Sequence, residues 1–204
     1  MLRIILLANW GLGLELLKVL HCRKDIDVKL VVTQYKKESH DGWFNAVYNF
    51  ALQHNYKVEG HESISFEKLR EFIVAFNIDL LVCHAYMKIL PEKVFSSPRL
   101  GSINIHPSLL PKYRGPSPTY WVLKHREKTT GLTCHYIDKG VDTGNIICQS
   151  NTTVQPDDTI GSIIEKQKLT LNDLVDTCIK NILDPVFKSE PQKEKLSSYA
   201  PRQN

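Results

Sequence analysis

Two polar side chains, Asn104 and His106, sit two residues apart at the end of the short apolar run Gly101-Ser102-Ile103-Asn104-Ile105-His106. In an extended strand, residues i and i+2 share a face, so the amide and the imidazole are presented together. A polar pair at a strand end beside a stiff loop is what a preorganised site requires. The same two residues could equally be satisfied groups at a strand edge. Pro107, Pro111, Pro116 and Gly115 follow, and a proline-stiffened loop loses little entropy when a site is ordered. A second polar stretch, His135-Tyr136-Ile137-Asp138-Lys139-Gly140-Val141-Asp142-Thr143-Gly144, carries two acids in a glycine-containing loop. An aspartate brought against His106 would favour the imidazolium and hold its orientation. Asp138 and Asp142 are both candidates, and either could instead be an ordinary Asx-turn residue.

Other chemistries find less support. The five cysteines, Cys22, Cys83, Cys134, Cys148 and Cys178, are widely spaced without a CxxC pair, which argues against a disulfide framework or zinc site. Cys83-His84 and Cys134-His135 lie in strand-like runs, where neighbours point to opposite faces, so no metal is expected. Gly11-Leu12-Gly13 follows an apolar run but lacks the third glycine of a dinucleotide fingerprint. Its backbone amides could still hold a phosphate, which makes Asn9, Trp10 and Gly11 candidates for substrate contact. The net charge of +4 comes from scattered basic residues. That suits an anionic small molecule and gives no argument for nucleic acid. The apolar start is too short for a membrane span or signal peptide, so no membrane association and a reducing, cytoplasmic setting are expected.

These residues need a scaffold, and 204 residues with 42% hydrophobic content suffice for one domain. Alternating short apolar runs and helix-period segments predict a mostly parallel sheet flanked by helices. Strands are expected at 3–8, 28–32, 56–58, 80–83 and 103–105, then at 131–137 and 145–150 without an intervening helix. Residues 9–13 read as a turn before a helix carrying Leu14, Leu16, Leu17 and Leu20. Residues 36–41 read as a polar loop. Further helices are expected at 43–54, at 65–76 with Ser65 as N-cap, briefly from Pro91, and at 119–124. Residues 159–183 read as one long helix or a pair. The catalytic domain is expected to span 1–187, followed by a polar tail, 188–204, that docks weakly or frays. In a doubly wound first half, the site belongs at the carboxyl ends of the strands.

Taken together, Asn104-Ile105-His106-Pro107-Ser108-Leu109-Leu110-Pro111, Tyr113-Arg114-Gly115, Thr130-Gly131-Leu132-Thr133 and Asp142-Thr143-Gly144 resemble the formyltransferase family that uses 10-formyltetrahydrofolate. The match runs in order from about residue 80 to 149. The resemblance implies a Rossmann-like fold with a mixed, mostly parallel sheet. It also implies a catalytic trio of Asn104, His106 and Asp142, and no metal. By the same resemblance, Met87, Lys88, Ile89 and Leu90 would cradle the folate pterin through main-chain contacts. Tyr136, Ile137, Asp138, Lys139, Gly140 and Val141 would form the other wall. The implied reaction is direct attack of a primary amine on the formyl carbon. In it, Asn104 and His106 donate to the developing oxyanion, and Asp142 keeps His106 protonated.

The acceptor is read from the loop after the trio. Tyr113, Arg114 and Tyr120, with Trp121, suit stacking and phosphate contacts to a nucleotide-linked amino sugar, while Trp10, Tyr120 and Trp121 could equally be packing anchors and Arg114 an outward salt-bridge residue. Phosphoribosylglycinamide formyltransferases of purine synthesis are the alternative. They resemble the chain in length but carry a different loop after the first strand. Methionyl-tRNA formyltransferases share Lys112-Tyr113-Arg114-Gly115 but have an additional C-terminal RNA-binding domain. A non-catalytic folate or nucleotide sensor is a further alternative. The resemblance also favours a homodimer.

Overall fold

The computed structural model describes residues 1–35 and 42–203; the polar loop expected at 36–41 lies outside them. Seven strands follow the order β3-β2-β1-β4-β5-β6-β7, and the sheet is mixed, parallel for most of its width, with helices on its flanks. The backbone separates into two compact units, residues 1–103 and 104–204.

In the first unit, β1 (Leu2–Ala8) pairs in parallel with β2 (Ile26–Thr33) and β4 (Leu80–His84), and β2 pairs with β3 (Val58–Gly60). Ile4 to Ala8 are fully buried, as a parallel strand covered on both faces requires. The helices are α1 (Trp10–His21), α2 (Ala46–Gln53), α3 (Phe66–Ala75) and α4 (Glu92–Phe95). Leu12, Leu16, Leu17 and Leu20 form the buried face of α1, each contributing roughly 1.5–3 kcal/mol over exposure.

The turn expected at 9–13 is not separate: α1 begins at Trp10, directly after β1. Trp10 enters it with φ of 60°, and Asn9 does not cap it. Instead the Asn9 amide donates to Ala85 O (2.8 Å), and its oxygen accepts from Gln34 N (2.7 Å) and Thr33 Oγ1 (3.2 Å). Asn9 therefore ties together the carboxyl ends of the first unit's central strands. Ser65 caps α3 as expected, accepting from Lys68 N at 3.1 Å. β3 starts two residues late because Tyr56 N is still engaged with Ala51 O at the end of α2. Pro91 caps α4 rather than occupying its first turn.

In the second unit, β6 (Thr129–Tyr136) and β7 (Ile146–Thr153) form an antiparallel pair. A single helix, α6 (Ile160–Leu183), packs on them and buries Leu171, Leu174, Val175, Cys178 and Ile179. Thr159 and Ser162 close a reciprocal cap at its start, each side chain accepting from the other's backbone N–H. Pro118 opens α5 (Pro118–Lys124) at a position where its missing N–H costs nothing. β5 (Ser102–His106) crosses the boundary between the units and delivers Asn104 and His106 to the second.

The polar tail does not fray. Glu190 and Ile146 exchange backbone hydrogen bonds, and Arg114 pairs through its backbone with Ser198 and Ala200. Ala200 is fully buried, and Trp121 Nε1 donates to Pro201 O. Polar composition does not decide between docking and fraying, because the stabilisation is main-chain pairing, which a sequence does not display. Among the described residues, no helix is long and apolar enough to cross a membrane.

Candidate active site

Strand alternation points Asn104 and His106 to one side of β5, and the connection after β6 brings Asp142 to them. The Asp142 carboxylate is the hub. Oδ2 accepts from Gly115 N at 2.8 Å and stands 3.5 Å from His106 Nδ1. Oδ1 accepts from Asn104 Nδ2 at 3.2 Å and stands 3.5 Å from His135 Nε2. Burial pushes this carboxyl's pKa up, but the positive charge that His106 can take up, the His135 ring and the Gly115 N–H together pull it down further. The net result lies well below the ordinary carboxylate range. Asp142 is therefore an anion at neutral pH. Its backbone is left-handed, at φ 54°, a conformation that aspartate tolerates better than most residues.

His106 is 4% exposed and lies between two acceptors. Nε2 is 2.7 Å from Tyr113 O, and since a carbonyl only accepts, Nε2 carries the hydrogen. Nδ1 faces Asp142. Burial lowers the His106 pKa more than Asp142 and the Tyr113 carbonyl raise it, so the net shift is downward. The downward shift runs against the expectation that Asp142 keeps His106 protonated, because desolvation of the ring outweighs the carboxylate beside Nδ1. Tyr113 reaches this position with φ of 61°, and Gly115 follows with φ of 104°. A Cβ at Gly115 would meet the Tyr199 ring and Ala200 O within 2.9 Å. Only glycine therefore places its N–H on Asp142 without displacing the tail.

His135, which motif spacing does not single out, completes the cluster. Its Nδ1 lies 2.8 Å from Tyr136 O, so it carries that hydrogen and leaves Nε2 to accept from Asn104 Nδ2 at 3.2 Å. Both amide hydrogens of Asn104 are thus engaged, one with His135 and one with Asp142. At 3.2 Å both bonds are at the long end of the normal range and can be exchanged for a better acceptor. The available sequence signal was the alternation of β6, which puts Cys134 and His135 on opposite faces.

The other expected site residues separate by surroundings. Asp138 is an Asx-turn residue, accepting from Gly140 N (3.0 Å) and Thr143 Oγ1 (2.6 Å). It shapes the loop carrying Tyr136, Ile137, Lys139, Gly140 and Val141. Met87 and Ile89 are exposed, Lys88 is half-buried and Leu90 is buried. Among the described residues, the N–H groups of Met87, Lys88, Ile89 and Leu90 have no protein partner, so this segment offers the unpaired main-chain donors that a heterocycle's edge requires.

Arg114 is turned away from solvent. Its guanidinium donates to Gln192 Oε1 at 2.8 and 3.0 Å and to both Glu194 oxygens at 2.8 and 3.1 Å. The Tyr113 hydroxyl donates to Glu127 at 2.7 Å. The Asn9 amide is fully engaged, as described above. Of the residues expected to contact substrate, Trp10 stacks with Trp43, at 6.1 Å between ring centroids and 8° between planes, and Trp43 is 60% exposed. Gly11 lies in the first turn of α1. Tyr120 is half-buried, edge-on to Trp121, with Lys124 Nζ 5.6 Å above its ring.

The formyl transferase family model matches residues 13–174. The chain belongs to the formyl transferase family. Among relatives in this family, the methionyl-tRNA formyltransferase of Acetivibrio thermocellus is 33% identical over 203 residues, covering 98% of this chain and 65% of that protein. The enzyme of that name from Caldanaerobacter subterraneus subsp. tengcongensis is 35% identical over 183 residues, covering 86% and 58%. The chain thus spans less than two thirds of the curated relatives it matches. Solved structures share the fold. The phosphoribosylglycinamide formyltransferase from Bacillus halodurans superposes with a TM-score of 0.74 at 24% identity, covering 90% of this chain and 96% of that one. An N-formyltransferase from Helicobacter canadensis, in complex with folinic acid and dTDP-3-aminofucose, superposes with a TM-score of 0.74 at 22% identity, covering 99% and 71%.

Proposed function

We propose that this chain transfers the formyl group of 10-formyltetrahydrofolate to the primary amine of a nucleotide-linked amino sugar. The observation that carries the formyl-transfer reading is the convergence of Asn104, His106 and His135 on the Asp142 carboxylate, all within 3.5 Å. The folate donor supplies a formyl carbon activated by its bond to nitrogen, and within the first unit the N–H groups of 87–90 suit the edge of a heterocycle such as its pterin. Neutral His106 takes the proton from the attacking amine at Nδ1, and Asp142 stabilises the imidazolium that results. Asn104 exchanges one of its long hydrogen bonds for the oxygen of the tetrahedral intermediate. The proton on His106 then leaves with the folate nitrogen, and no covalent intermediate on the protein is needed.

The amino-sugar reading rests on exposed Trp43 stacked against half-buried Trp10, an apolar face suited to a base or sugar. The structural relative solved with dTDP-3-aminofucose supports it. A second reading, methionyl-tRNA as acceptor, is favoured by the 33% identity to the Acetivibrio thermocellus enzyme along nearly the whole chain.

The test is incubation with 10-formyltetrahydrofolate and, separately, a dTDP-linked amino sugar, glycinamide ribonucleotide and methionyl-tRNA. Release of tetrahydrofolate and formylated product are followed by mass spectrometry. Formylation of the sugar nucleotide alone is expected, with loss on His106→Ala. Formylation of methionyl-tRNA alone would replace the acceptor assignment, and no turnover with any amine would overturn the enzyme reading.

A further inference from the structure

Beneath the β6–β7 pair, on the face opposite His135, three cysteines far apart in sequence meet. Cys134 and Cys148 are directly paired across the antiparallel ladder, and Cys178 comes down on them from α6. Their sulfur atoms all lie within 4.8 Å of one another. Cys134 and Cys178 are each 1% exposed, and Cys148 is half-buried. No disulfide joins them.

We propose that Cys134, Cys148 and Cys178 form a three-sulfur binding site for a soft monovalent metal ion, copper(I). Geometry permits it: with metal–sulfur bonds of about 2.3 Å, the sulfurs of a trigonal site stand roughly 4 Å apart. The three side chains therefore need to close by less than about 1 Å from their observed maximum separation. Softness selects the ion, because thiolates favour copper(I) and zinc over hard cations. Coordination number then separates those two. Structural zinc takes four protein ligands, whereas among the described residues the cluster offers three and no histidine or carboxylate joins it.

The Cys148 thiol donates only a weak hydrogen bond, to Leu174 O at 3.6 Å, which metal binding would replace. As each copper–sulfur bond forms, the ligating thiol releases its proton to solvent, so affinity rises with pH. No electron is transferred. The bound ion would clasp α6 to both strands, so binding also stabilises the fold.

The experiment is an anaerobic titration of the reduced protein with copper(I), supplied as its acetonitrile complex against bicinchoninate as competing chelator. One copper(I) per chain is expected, with ultraviolet thiolate-to-copper absorption, about three sulfur neighbours by X-ray absorption, and a raised Tm. Cys148→Ser, at the half-buried position and safest for folding, should weaken binding at least tenfold. Cys178→Ala should do the same, and Cys22→Ser, at an exposed thiol outside the cluster, should change nothing. Full retention of copper by Cys148→Ser, loss of binding with Cys22→Ser, or formation of a Cys134–Cys148 disulfide with no copper held would each overturn the proposal.

Discussion

Asp142→Asn preserves the shape of the side chain and removes its charge. Gly115 N–H at 2.8 Å and Asn104 Nδ2 at 3.2 Å each use one of its oxygens, and His106 Nδ1 stands 3.5 Å from the Gly115-facing one. An amide has only one oxygen, so in either orientation its NH2 faces a donor. A buried N–H left unpaired costs roughly 1–3 kcal/mol, and the variant should lose about that much stability. The reaction loses more. At 3.5 Å a carboxylate and an imidazolium attract by about 5 kcal/mol at an effective dielectric of ~20. If the asparagine dipole retains half of this, the barrier rises by about 2.5 kcal/mol and kcat falls roughly a hundredfold. Single-turnover release of tetrahydrofolate, measured with saturating acceptor, gives kcat, and urea unfolding gives the stability change. A variant within threefold of the parent rate, with an unaltered pH profile, would refute the role given to this carboxylate.

Three further outcomes follow from the same geometry. Because burial lowers the folded His106 pKa below its ordinary value of about 6.5, the unfolded chain takes up its proton first on acidification. Stability from this residue is thus complete above about pH 6.5 and lost as pH falls toward the folded pKa. Urea midpoints should drop between about pH 7.5 and 5.5, and drop less in His106→Asn. His135→Phe removes the acceptor for one Asn104 hydrogen, so kcat should fall roughly tenfold for a lost hydrogen bond of about 1.4 kcal/mol, with KM for the folate little changed in steady-state assays. Arg114→Lys cannot reproduce the paired contacts to Gln192 and Glu194. Limited proteolysis should cut beyond residue 188 faster in this variant than in the parent chain.

The fold was legible where one physical effect dominated. Residues 4–8 are an unbroken apolar run, and only a strand buried on both faces uses one so short. Ser65 is a hydroxyl at a helix start, and it caps α3. The start of α1 was hidden because Asn9 spends its amide on neighbouring strands, and no local rule separates that use from a turn. Within the site, the period-two spacing of Asn104 and His106 was visible, and Asp142 came through resemblance to a motif. His135 was not visible, because alternation gives the face of a strand but not the side chains that meet it there. The downward shift of His106 was equally hidden: charge partners can be guessed from types of residue, whereas desolvation needs a three-dimensional environment. The three clustered thiols share no motif, since their convergence is a product of strand register and helix docking.

Gln192 Nε2 donates to the main-chain oxygens of Asp142 and Gly144 while its own oxygen receives Arg114. The last residues thereby act as a buckle on the loop that aims the carboxylate. Trimming the protein at residue 187 to obtain a tidier fragment would unfasten that loop, and the resulting inactivity would wrongly suggest a missing catalytic group. The same latch predicts that positions 114, 192 and 194 drift together among related sequences, although nearly eighty residues separate the first from the others.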